Sequence, residues 1–296
     1  MVGVRQMQKL VSLVEQAGAK LLLVGDHTQL QSVGDAGAPF RMLSEKYGVF
    51  EMKEIHRQKE RWQRELVHDF RWGRTGKALL ELADKNLLFV GMDRTDAMAQ
   101  VILDWKKRAI DEGELDGSMM IAGTNHDVGI LNRLAQQQRL AAGQLGETVL
   151  AVGDHELRVG DRVAATRNQK AILIDNGMVG TVTAINGHCL RVQFEEYQID
   201  IETTQYKHLD LAYGSTIHRA QGQTASFAFL LVDDVMTNRQ SAYVGVSRPK
   251  GEIRVYADLL TGGEDIAQLA KIMERDRSKC NAHEHLTEHV TREMME

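Results

Sequence analysis

Leu21-Leu22-Leu23-Val24-Gly25-Asp26-His27-Thr28-Gln29-Leu30 sets four apolar residues directly before a polar loop that starts on glycine. Consecutive apolar residues without alternation fit a strand buried on both faces. Upstream, Met7, Leu10, Val11 and Val14 recur at helical spacing, and Gly18 stands where a C-cap belongs. Helix, buried strand, polar loop is the order that a parallel α/β sheet produces, with functional loops at the strand C-termini.

Toward the C-terminus the pattern repeats. Residues 87–90 read as a strand, and Met98, Val101, Ile102, Trp105 and Ala109 mark one helix face. Residues 119–122 read as a second strand, followed by a helix beginning with Val128, Leu131 and Leu134. From about 149 to 201 the helical stripe is lost. Asn176-Gly177 and Asn186-Gly187 are hairpin signals, and Val182, Ile185, Leu190, Val192 and Phe194 lie in short alternating runs. This predicts a small antiparallel β-barrel inserted in the α/β pattern; an ordinary β-meander fits the same residues. The α/β alternation is expected to resume after Leu209. A helix follows residues 215–221, strands occupy 227–232 and 253–256, and helices occupy 239–247 and 266–273.

Composition narrows the function. The chain has 296 residues, 43% of them hydrophobic, with a net charge of -5. That is ordinary for a globular protein, and no apolar run approaches the roughly 20 residues of a membrane span. The two cysteines, Cys189 and Cys280, lie far apart, so a disulfide framework is not expected and a reducing cytoplasm is. The net charge does not advertise nucleic-acid binding, though a strand-gripping channel needs only local positive charge.

Four segments carry chemistry. Gln29 both donates and accepts, so it can orient a water or touch a terminal phosphate; a strand-to-loop Gly-Asp is also commonplace. Glu54-Ile55-His56-Arg57-Gln58 offers a forked, always-charged Arg57, which is equally a surface arginine. Tyr213-Gly214-Ser215-Thr216-Ile217-His218-Arg219-Ala220-Gln221-Gly222-Gln223-Thr224 is the most specific: glycines and small hydroxyls permit close approach to a phosphodiester. Tyr243-Val244-Gly245-Val246-Ser247-Arg248 ends a helix on an arginine that can reach across a cleft or simply answer the helix dipole.

In order and spacing these four segments resemble the third to sixth motifs of superfamily-one DNA helicases. They look most like the RecD-like group, including the helicase portion of TraA/TraI-type conjugative relaxases. Thr124-Asn125 through Asn132-Arg133 resembles a segment of the second motor domain. Gly160-Asp161-Arg162-Val163, with Asn176-Gly177 and Gly180-Thr181-Val182, resembles that group's SH3-like insertion. The likeness runs to about Asp258. It implies an α/β, RecA-like motor fold with a partial first domain (1–50) and a complete second domain (51–152 and 207–260). An SH3-like β insertion (153–206) would interrupt the second domain, and a polar tail (261–296) would follow it.

The resemblance also implies roles. Gln29 senses the γ-phosphate, with Gly25 and Asp26 beside it. Arg57 and Arg248 reach the same phosphate from the second domain, and Gln221 and Gly222 lie at the nucleotide cleft. Thr216 and His218 lie near single-stranded DNA, with Asn125 a further DNA-side candidate. ATP and Mg²⁺ are implied for the intact protein, with 5′–3′ movement.

The string G-x-x-x-x-G-K-[ST] that cradles phosphates does not occur. Gly73-Arg74-Thr75-Gly76-Lys77-Ala78 is too short in spacing, and Ala78 cannot ligate Mg²⁺. The chain opens at Met1-Val2-Gly3, as though just after the acidic pair that such proteins use for Mg²⁺. The expectation is therefore a chain that needs a missing N-terminal motor portion, binds no nucleotide tightly and is inactive alone. A non-catalytic single-stranded DNA-binding module is the alternative; an unrelated α/β enzyme would require four ordered motifs to coincide. Cys280, His283, His285 and His289 fit metal ligands only weakly, being polar and terminal, so no metal site is expected.

Overall fold

A computed structural model describes residues 2–279 except 33, 35, 36, 53, 196 and 264. The first stretch holds helices α1 (Val4–Gln16) and α2 (Pro39–Tyr47). Residues 21–24 between them do not form the expected buried strand: Leu22 is 85% and Val24 75% exposed. A buried parallel strand needs hydrogen-bonded neighbours, and no described residue pairs with this run. The face expected of α1 is likewise uncovered, since Met7 is buried but Leu10 and Val11 are exposed.

Two helices that the apolar pattern did not single out come next. α3 (Arg61–Arg71) buries Leu66, Val67 and Phe70, and α4 (Thr75–Asp84) buries Ala78, Leu79 and Leu82. Then β1 (Leu88–Gly91), α5 (Arg94–Lys106), β2 (Ser118–Ala122) and α6 (Asn125–Ala141) follow as expected. Asp93 caps α5 and Thr124 caps α6, each accepting a backbone N–H of the first turn.

The chain next turns antiparallel. β3 (Val149–Val152) and β4 (His155–Arg158) make a hairpin. β5 (Arg162–Ala165), β6 (Val179–Asn186), β7 (Cys189–Gln193), β8 (Gln198–Glu202) and β9 (Leu209–Leu211) form a five-stranded sheet, ordered β8-β7-β6-β5-β9. Gly187, at φ +60°, turns β6 into β7 with Asn186 facing Cys189. Asn176-Gly177 instead ends a long loop before β6. Residues 209–211 pair with β5, so the parallel pattern resumes later than Leu209.

The last stretch is β10 (Gly214–Thr216), α7 (Ile217–Ala220), β11 (Phe227–Leu231), α8 (Arg239–Val246), β12 (Ile253–Asp258), α9 (Leu259–Gly262) and α10 (Ile266–Glu274). The expected helix after residue 215 is a single turn. Strands β1-β12-β11-β2-β10 form one parallel sheet. Its side chains split by alternation: Phe229 and Leu231 join the core under α5 and α6, while Ala228, Leu230 and Val232 join the core under α3, α4, α8 and α10. Helix α8 lies so close to β11 that a Cβ on Gly245 would meet the Leu230 side chain at 2.9 Å.

One buried polar cluster locks the antiparallel insertion onto α6. Asp161, fully buried, accepts from the Tyr213 hydroxyl (2.5 Å), Gln136 Nε2 (2.7 Å) and the Arg158 amide (2.7 Å). Arg139 donates to the Tyr213 oxygen (3.1 Å) and to the Gly160 carbonyl (2.6 Å). Tyr213 also meets Trp105 edge-on at 5.7 Å, and it directly precedes β10. Burial pushes the Asp161 carboxyl up against the pull of Tyr213, Gln136, Arg158 and Arg139.

Candidate functional site

The loop after residue 24 is shaped by Asp26. Its carboxylate accepts from the Thr28 amide (3.0 Å) and hydroxyl (2.5 Å), from Gln29 Nε2 (3.1 Å) and from the Tyr243 hydroxyl of α8 (3.1 Å). Arg71 of α3 approaches within 3.9 Å. Asp26 therefore acts as a bracket between the loop and the parallel-sheet body. Gly25 fits beneath the Phe40 ring, whose atoms lie 3.3 Å from where a Cβ would be.

From Gln29 the site continues without a break. Gln221 Nε2 reaches Gln29 Oε1 at 3.4 Å, and Gln221 Oε1 is buried with no partner. Gly222 follows at φ +91°, a conformation that suits glycine, and leaves open space beside it. Arg248 lies behind this turn and is only 2% exposed. It donates to the carbonyls of Val244 (2.8 Å), Ala220 (3.4 Å) and Gln223 (3.3 Å) and to the Ser247 hydroxyl (2.8 Å). Arg57 donates to the Ser247 carbonyl at 2.7 Å, and Gln58 donates to the Pro249 carbonyl at 2.6 Å.

Two guanidiniums thus converge on Ser247, and among the described residues neither has a carboxylate within ion-pair distance. Burial pulls the Arg248 pKa down to about 10, and the neighbouring Arg57 charge adds to this. A buried cation beside a half-buried one, with no counter-charge, is costly unless an anion answers them. With the Gln29 and Gln221 side-chain amides nearby, the guanidinium and amide N–H donors fit the outer oxygens of a phosphate. Among the described residues no group of three or more His, Cys, Asp or Glu could hold a metal ion. Cys280, His283, His285 and His289 lie outside the described residues.

Of the remaining candidates, Thr216 and His218 lie on the helical turn that leads into Gln221. Thr216 ends β10 beside the end of β2, where Asn125 opens α6, so these two share the C-terminal edge of the parallel sheet. Thr216 caps α7, and Asn125 is exposed. His218 is half-buried, and burial lowers its pKa. Arg219 is drawn to Asp210 of β9 at 3.5 Å. Lys77 of the glycine-rich decoy pairs with buried Asp69 at 2.8 Å, which makes it an anchor for the α3–α4 turn. Tyr243, Arg71 and Gln58 were not singled out from the sequence. Tyr243 stood in a quoted motif, but nothing local links it to Asp26, 217 residues away.

Asp26 gives a pH test. Burial pushes its carboxyl up, yet the Thr28 hydroxyl and amide, Gln29 and Arg71 outweigh this and hold it below 3.8. A lowered native pKa stabilises fully above the unfolded value and is lost as pH falls through the native one. The Thr28 amide resonance is expected to titrate with a midpoint below 3.8. A midpoint at or above that value contradicts the bracket.

Comparison with known proteins agrees with this arrangement. A sequence profile for an AAA domain matches residues 1–93. The conjugal transfer protein TraA of Agrobacterium fabrum is 31% identical over 291 residues, covering 94% of this chain and 26% of that protein. The ATP-dependent RecD2 DNA helicase of Deinococcus radiodurans is 27% identical, covering 79% of this chain and 32% of that protein. The chain therefore spans about a quarter of the length of the TraA protein it matches. Among solved structures, the Pif1 helicase of Candida albicans superposes with a TM-score of 0.58 at 16% identity, covering 98% of this chain and 74% of that one. A Bacteroides Pif1 bound to single-stranded DNA gives 0.55 at 20% identity, covering 84% and 65%. The motif order, the kinship across most of the chain and the shared fold agree: the chain belongs to the superfamily-one helicases of TraA type.

Proposed function

We propose that the chain is the C-terminal part of an ATP-dependent DNA helicase, moving 5′ to 3′ on single-stranded DNA in conjugative transfer within the cytoplasm. The supporting observation is the Arg57–Arg248 pair without a carboxylate, behind the turn whose Gln221 meets Gln29. In this reading 1–50 is the last part of a first RecA-like domain. Residues 51–152 and 207–260 are the second, 153–206 is an SH3-like insertion and 261–296 is a tail. Gln29, Arg57 and Arg248 sense the terminal phosphate of ATP, with Gly25, Asp26, Gln221 and Gly222 around it. Thr216, His218 and Asn125 face the strand. ATP with Mg²⁺ would supply the phosphate charge that draws the two motor parts together.

Phosphate-cradling backbone N–H groups, a lysine and Mg²⁺ supply most nucleotide affinity in such motors. Sensor and finger residues do not replace them, so the chain is inactive alone. The uncovered apolar run at 21–24, together with Phe50 at 96% exposure, supports a further motor portion that completes the first sheet.

Strand binding tests the reading. A fluorescent oligothymidine is expected to bind with log K falling by about 2 per tenfold salt, for roughly three phosphates contacted. Replacing Thr216 and Asn125 with alanine should weaken it. Salt-dependent binding that ATP leaves unchanged is expected of this chain alone, and the alternative of a non-catalytic single-strand-binding module shares it. No binding at any salt defeats both.

A further inference from the structure

The chain continues past α10 into a five-residue segment, 275–279, that joins both sides of the cleft. Its first half is fixed to the start of α8. The Arg239 amide donates to the Arg275 carbonyl at 2.9 Å, and Asp276 accepts from Gln240 Nε2 at 2.7 Å and from the Arg239 guanidinium. Arg275 and Arg277 donate to the Asp234 and Val235 carbonyls of the preceding loop. Its second half is fixed to the loop that carries Gln29: the Lys279 amide donates to Gln31 Oε1 at 2.5 Å, and Lys279 Nζ donates to the Ser32 carbonyl at 2.5 Å.

The anchors have a mechanical meaning. Helix α8 carries Tyr243, which holds Asp26, and Arg248 stands just past its end. Gln31 and Ser32 lie two and three residues after Gln29. The 26–32 loop cannot draw away from α8 unless the strap releases one anchor. We propose that 275–279 is a latch that holds the Gln29 loop against α8 and sets how far the cleft opens. The contacts carry this reading without any nucleotide, so it stands apart from the helicase proposal.

Amide exchange on the full chain tests it. Asp276→Ala removes the side-chain contacts to Arg239 and Gln240, weakening the α8 anchor without touching the loop. It is expected to speed exchange of the 26–32 amides at least about fivefold, the equivalent of a net loss of about one hydrogen bond's free energy. Gln31→Ala removes the acceptor of the Lys279 amide, weakening the loop anchor, and should speed exchange at 276–279 and 239–243. The double variant should be no faster than the faster single, because one latch cannot open twice. Rates in α4 and β11 should not move. Unchanged 26–32 exchange in Asp276→Ala overturns the proposal, as do effects that multiply in the double variant. Should Asp276→Ala loosen the whole chain, Gln31→Ala decides alone: faster exchange at 239–243 supports the latch, and none overturns it.

Discussion

Asp161→Ala is expected to cost about 3–5 kcal/mol, the range for breaking a buried charged network on one side. The substitution removes the acceptor shared by Tyr213, Gln136 and the Arg158 amide. It also strips buried Arg139 of the carboxylate that it reaches through the Tyr213 hydroxyl. Each orphaned donor carries a desolvation cost of roughly 1–3 kcal/mol. Asp161→Asn keeps one acceptor oxygen, and burial already disfavours the charged form. It should therefore lose clearly less. Urea unfolding at constant pH separates the two variants by their midpoints. The damage should also reach β10, because Tyr213 stands immediately before Gly214 and rests on Trp105. Equal midpoints for Asp161→Ala and the parent would remove the cluster from the account.

The second large effect concerns Arg248. Arg248→Ala should cost about 3 kcal/mol, since it leaves a cavity and frees carbonyls that the guanidinium now serves. Arg248→Met keeps most of the packing volume and removes a buried cation beside Arg57, so its cost should stay near 1 kcal/mol. Both variants should lose the same binding property. Pyrophosphate at tenfold over its dissociation constant is expected to stabilise the parent by about 1.4 kcal/mol, and neither variant at all. If Arg248→Met keeps the full pyrophosphate effect, Arg248 is a packing residue.

Much of this was legible in the sequence, for identifiable reasons. The run that became β11 is continuous and apolar because both faces of a parallel strand are buried. The same reasoning fails at 21–24. Its apolar run has the composition of such a strand, but no described neighbour completes the ladder. Composition reports what a segment needs, and pairing depends on what else is folded beside it. Helices α3 and α4 were passed over because charged residues dilute their stripes, although Leu66, Phe70, Leu79 and Leu82 are fully buried.

The site divided in the same way. Motif chemistry marked Gln29, Arg57, Gln221 and Arg248, and the fold brings them into one connected cluster. Thr216 and His218 belong to the one-turn helix that leads into Gln221, while Asn125 opens α6 beside the end of β10. Contacts such as Tyr243 with Asp26 and Lys279 with Ser32 span 217 and 247 residues. No local pattern encodes a pairing at that separation, and only the packing of α8 against the loop creates it.

The most direct test of a cleft that senses phosphate without cradling it is ATP turnover by the purified chain, with and without oligothymidine. The expected result is no hydrolysis above the buffer rate in either case. Strand-stimulated turnover that disappears in Arg248→Ala would contradict it.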